Sequence, residues 1–176
     1  MLMRSNNRPP ILAGTIGAHP VAAAIGALLM LAGAALSVPF LNAVQTASGS
    51  ISFSFSGIYG CARVFACDVA LLITINFALL RRCLIPLSCA ALIIDGSLTG
   101  FGFFALLRCD NVFWALLYIL PCAIEASAML IAFITASTGA KGAVITTTRM
   151  SFCCLFMLLT ATAMQGVLAT LMGAHN

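Results

Sequence analysis

The sequence predicts an all-α, polytopic membrane protein, a bundle of about five transmembrane helices with its N-terminus in the cytoplasm and its C-terminus outside. Three observations predict it. Of the 176 residues 62% are hydrophobic and 7% charged, and the mean hydropathy is +1.15; a water-facing surface on a domain of this size needs far more charge. The few charged side chains stand mostly at the edges of long apolar runs. Those runs also have the right length, because a helix needs about 20 mainly apolar residues to cross a hydrocarbon core of about 30 Å. The whole chain, residues 1–176, reads as a single integral membrane domain.

The first span, 20–44, reads PVAAAIGALLMLAGAALSVPFLNAV and follows Arg4 and Arg8. Its apolar stretch is much longer than the about 7 to 15 residues of a secretory signal core, so it is expected to be a retained anchor rather than a signal cleaved near Ala47. Pro39 has no amide hydrogen for the helix ladder and is expected to bend or end this helix near its outer face. The second span, 64–80, is short and carries Asp68 near one end. The third is 83–107, the fourth 112–136 and the fifth 150–172. Between the first two, the stretch QTASGSISFSFSGIYG alternates Ile51, Phe53 and Phe55 with serines, a period of two that suits an extended segment on the membrane surface or a docking edge for a partner.

With the N-terminus inside, Arg4, Arg8, Arg81, Arg82, Lys141 and Arg149 fall on the cytoplasmic face and only Arg63 and Arg108 outside, as the positive-inside rule requires. The aromatics agree. Phe101, Phe103 and Phe104 close the third span where Phe113 and Trp114 open the fourth, forming a belt at the outer interface.

Several function classes are excluded by what the chain lacks. The net charge of +4 is not clustered with aromatics as a nucleic-acid groove requires, so no nucleic-acid partner is expected. No phosphate loop, nucleophile elbow, zinc-helix motif or histidine-paired nucleophile is present, and no enzymatic activity or cofactor is expected. The eight cysteines have no metal-ligand spacing and lie mostly in apolar runs, where cysteine acts as a small hydrophobe, so no metal site is expected either.

Within the third span, LIIDGSLTGFGFFALL, Gly96 and Gly100 stand four apart and share a helix face. In lipid, small residues let two backbones approach and gain van der Waals contact, either inside the monomer or between copies in a homo-oligomer. The first span offers a matching face at Gly26, Gly33 and Ser37. Asp95 precedes Gly96 near the middle of its span, and Glu125 occupies the fourth span four residues after Pro121. A charged aspartate at the bilayer centre costs about 2.5 to 3.5 kcal/mol on the insertion scale, so both carboxylates are expected to face the bundle interior. They read either as ion, proton or substrate ligands or as buried anchors bonded to Thr99, Ser127, Arg63 or Arg108. One carboxylate per span, no buried Lys or Arg and no pattern repeated between halves favour the anchor.

The order of features resembles the stage II sporulation protein M family, small polytopic proteins of endospore-forming bacteria. MLAGAALSVPFLNAV is similar to that family's glycine-rich first helix ending in small residues and an asparagine. Gly96, Gly100 and Phe101 supply its Gly-x-x-x-Gly-Phe pattern, and ILPCAIEASAML, through Leu120 and Pro121, its Leu-Pro turn. The chain departs from the pattern at Cys122, where the family has a polar residue, in the context of Glu125, and in its many cysteines. The resemblance implies a scaffold in the cell membrane, at the sporulation septum, that recruits peptidoglycan-degrading partners during engulfment of the forespore. Its contacts would be other membrane or septal proteins and cell-wall hydrolases, through Gly96, Gly100, Phe101, Pro121, Glu125 and Asp95. The rival reading is a small transport module, a carrier or the substrate-binding subunit of a vitamin importer, that uses Asp95 and Glu125.

Overall fold

In a lipid core every backbone amide must find its partner within the segment, so an apolar run of this length closes into a helix. A computed structural model describes residues 19–48, 57–80, 84–108, 112–138 and 144–175, and within them the chain forms five helices: α1 (Pro20–Ser48), α2 (Gly57–Leu80), α3 (Ile85–Arg108), α4 (Val112–Thr138) and α5 (Val144–His175). All five are long and apolar enough to cross a membrane, so the protein is a multi-pass, five-span helical bundle. Arg4, Arg8, Arg81, Arg82, Lys141, Asp110, Cys83, Cys109 and the alternating segment at Ile51, Phe53 and Phe55 lie outside the described residues, as do the side chains of Tyr59 and Arg149.

The outer surface is made for lipid. Val21, Leu31, Phe40, Phe113, Phe152 and Phe156 point outward, each more than half exposed, which a water-soluble bundle of this size could not tolerate. Hydroxyls inside the helices are satisfied locally: Thr74, Thr99, Ser127, Thr135 and Thr162 each donate to the carbonyl one turn back. That bond removes the cost of an unpaired hydroxyl away from water.

Of the two outcomes expected at Pro39, a bend or an end, the end does not occur: α1 runs on to Ser48 with the proline inside it. Its small residues explain where it sits. α1 packs chiefly against α3, with Gly33 against the Ile93 carbonyl, Gly96 against the Met30 carbonyl and Gly100 within van der Waals reach of Ala34 and Ser37. Ser97 Oγ lies 2.8 Å from the Ile93 carbonyl of its own helix and 2.9 Å from the Gly33 carbonyl of α1. The Gly96 and Gly100 seam is therefore filled by a helix of the same chain.

The rest of the bundle is asymmetric from one end to the other. Leu72, Ile75, Leu92, Met129, Phe133 and Leu158 form a closed apolar core in the half where α2 ends and α3 begins. Ser88 of α3 crosses to the Ile75 carbonyl of α2 at 3.2 Å and helps to tie that half together. In the other half α2, α3, α4 and α5 diverge around a cleft of about 290 Å³.

Candidate functional site

The second helix begins at Gly57, well ahead of the span start at Val64 that its sequence suggests, and this changes the depth of Asp68. It stands near the middle of α2, not near an end. Asp95 is likewise near the middle of α3 and Glu125 in the middle of α4, so three carboxylates from three helices share one level of the bundle. They also converge laterally, with one carboxylate oxygen from each lying within 4.8 Å of those from the other two.

All three are out of solvent, with Asp68 3%, Asp95 0% and Glu125 4% exposed. Gln165 of α5 donates from Nε2 to Glu125 Oε2 at 3.0 Å. Neither carboxylate oxygen of Asp95 has a hydrogen-bond partner. The partners suggested for these carboxylates by sequence are engaged elsewhere: Thr99 Oγ1 donates to the backbone carbonyl of Asp95, Ser127 to the Ala123 carbonyl, and Arg108 to Asn42 Oδ1. Arg63 lines the cleft and forms no ion pair with them.

The cleft leads to this level from one side. Arg63, Leu106, Tyr118 and Met172 lie toward its outer part, while Asp68, Glu125 and Gln165 lie deeper. Asp95 sits beside them, above the closed apolar core. Three ionised carboxylates at this separation repel one another strongly in a medium of low dielectric constant, and a buried charge is tolerated only when it is paired. The cluster therefore calls for a cation or for protons to balance it.

Of the residues singled out by sequence, Asp95 and Glu125 meet here. Gly96 and Gly100 do not, because consecutive residues of a helix point about 100° apart: Asp95 faces α2 and α4, whereas Gly96 faces α1. Phe101 forms part of the cleft wall and packs its ring against Phe40 at 5.9 Å. Pro121 is buried one turn before Glu125. Asp68, which sequence counts with Asp95 and Glu125 as the anionic anchors open to a transport module but sets near a span end, joins them at mid-depth. Sequence reasoning misses Gln165, although it is the one amide side chain in the apolar run 150–172.

If the cleft is wet and the core dry, thiols report it. Cys67 lines the cleft and is exposed, Cys153 is exposed on the lipid face, and Cys154 is buried in the core. In single-cysteine variants in a bilayer, a membrane-impermeant maleimide is expected to label Cys67 and to leave Cys153 and Cys154 untouched until detergent denaturation, since reaction needs water and a thiolate. Silence at Cys67 means that the cleft is filled by lipid.

Comparison of the chain with protein families, with curated proteins and with solved structures gives no match.

Proposed function

We propose that the protein is a small membrane transport module whose carboxylate centre binds and passes a cation. The observation that carries this reading is the convergence of Asp68, Asp95 and Glu125, buried at mid-depth with no basic partner among the described residues, beside a cleft that reaches them from one side. Ionisable groups are costly inside a membrane, and carriers place them at mid-depth where helices from different parts of the fold meet. The asymmetry fits one state of such a cycle. The cleft gives access from one face, the core of Leu72, Leu92 and Met129 closes the other, and the carboxylates stand at the boundary.

The scaffold reading, with its septal partners, rests on the sequence resemblance alone. The Gly96 and Gly100 face that would have served as a contact is taken up by α1. Recovery of a cell-wall hydrolase with the tagged protein from sporulating cells, coupled with no flux from the purified chain, would turn the choice toward the scaffold.

The direct test is reconstitution into proteoliposomes, with flux of protons, of sodium and of divalent cations followed by entrapped indicators. Cation flux is expected from the wild-type chain and from Thr46→Ala, an exposed position whose hydroxyl bonds only its own helix. In Glu125→Gln, folded by gel filtration, flux is expected to fall to that of empty liposomes. Equal flux in Glu125→Gln and wild type overturns the reading.

A further inference from the structure

We infer that the centre formed by Asp68, Asp95 and Glu125 is a binding site for a hard divalent metal cation such as calcium, magnesium or manganese(II), an inference that rests on the transport reading and names its cargo. Four observations lead there. The first is the donor set. The three groups that converge are carboxylates, and of the side chains lining the cleft beside them the amide of Gln165 and the hydroxyls of Thr99 and Tyr118 add oxygen, against one thiol, that of Cys67. Oxygen donors of this kind select calcium, magnesium and manganese over copper or zinc, which prefer nitrogen and sulfur.

The second is Asp95. It is wholly buried, and both its oxygens lack a partner, although a carboxylate without a donor or a counter-ion is among the least stable things a protein can bury. Its oxygen lies within reach of the oxygens of Asp68 and Glu125 and is separated from the Gly96 seam by the turn of the helix. A cation between the three supplies what it lacks.

The third is proximity. One oxygen from each carboxylate lies within 4.8 Å of those from the other two, so a single hard cation, which takes oxygen ligands at about 2.0 to 2.6 Å, can touch all three. The remaining positions fall to water from the cleft, and Gln165 holds one oxygen of Glu125 in place from behind the site, as supporting hydrogen bonds do around bound metals.

The fourth is charge. Asp68 and Glu125 line the cleft with one guanidinium, that of Arg63, and Asp95 stands beside them. One divalent cation brings the assembly to neutrality, whereas a single sodium ion leaves it negative and protons must be taken up two at a time, in a region where net charge is penalised. Sequence offers Asp95 and Glu125 as ion ligands but no metal motif, because metal motifs are sought as histidine and cysteine spacings. Here the ligands lie on three helices, and each comes from its own part of the chain.

The test uses the full-length chain in detergent, stripped with a chelator and titrated with manganese(II) chloride, with free ion followed by electron paramagnetic resonance. One bound manganese per chain is expected, displaced by excess calcium or magnesium. In Asp95→Asn, which keeps the shape of the side chain, affinity is expected to fall by about tenfold or more, and Thr46→Ala is expected to match wild type. Absence of bound manganese at about 1 mM, a weak limit for oxygen sites, or equal binding by Asp95→Asn, overturns the inference. Proton or sodium flux lost in Glu125→Gln without any metal binding overturns it too and leaves the transport reading standing. Stoichiometric binding without flux upholds the site and removes the transport reading instead.

Discussion

Replacement of Gly96 by leucine is expected to abolish the folded bundle or to lower its stability by about 3 kcal/mol or more, at the upper end of what overpacking costs. A side chain at this position meets backbone, not another side chain. Its first carbon would fall against the Met30 carbonyl, with the Met30 carbonyl carbon at 2.8 Å, and backbone in the middle of a helix cannot step aside as a flexible side chain can. Gly33→Leu meets the Ile93 carbonyl and the Ser97 amide and is expected to behave alike. The comparison is Leu98→Ala, at a position half exposed on the surface of the same helix, which is expected to shift stability by no more than about 0.5 kcal/mol. Thermal unfolding in detergent, followed by circular dichroism and by the monomer peak on gel filtration, separates the two. A stable, monodisperse Gly96→Leu protein would mean that α1 does not lie in the groove of α3.

The second expected result has two parts of opposite sign. With divalent cations removed by chelator, Asp95→Asn is expected to be more stable than the wild type, and in liposomes it is expected to carry no cation. The substitution removes a carboxyl that without a cation must be protonated or stand as a like charge beside the others, and it provides an amide that can donate to Asp68 or Glu125; a hydrogen bond to a charged group contributes about 1.5 to 3 kcal/mol. In a chain of this length each kcal/mol moves the melting temperature by about 2–4 °C. Addition of calcium or manganese should reverse the order, because a ligand bound to the native state stabilises only the protein that retains the site. The result that sinks the idea is a fall in melting temperature for Asp95→Asn under chelator. It would show Asp95 to be a structural anchor whose charge the fold requires.

Sequence favours the anchor for Asp95 and Glu125, and what sets the transport reading beside it is geometric. Each carboxylate stands alone in its span, and a one-dimensional reading counts one Asp or Glu per helix with no partner within a turn. Thr99 and Ser127 are the nearest polar residues along the chain, yet both hydroxyls are held by carbonyls of their own helices. Asp68 looked shallow because the apolar run seemed to begin at Val64. The helix starts earlier, since GIYGCAR is apolar enough to continue it, and the earlier start moves Asp68 to the level of Asp95 and Glu125.

The glycine seam was more legible. Spacing of four puts Gly96 and Gly100 on one face, and the small residues of the first span offered a neighbour. That the neighbour is α1 of the same chain, and not a second copy, depends on how the helices are arranged. At Pro39 sequence leaves a bend or an end open, and the end does not occur. α1 continues through it with Leu41 buried beyond the proline, and in lipid a helix that stops early exposes amides with nothing to bond.

The sequence by itself determined that this chain lives in a membrane, that it crosses five times, and that glycines four apart mark a close helix contact. Those properties are local: hydrophobicity, run length and helical period act within a span, and no distant residue is needed to read them. Tertiary structure decided which faces meet. Asp68, Asp95, Glu125 and Gln165 come from four helices separated by tens of residues, and whether such groups touch depends on the rotation and depth of each helix, which small differences in packing set. The site therefore exists only in the assembled bundle, beside a cleft in one half and above a closed core in the other.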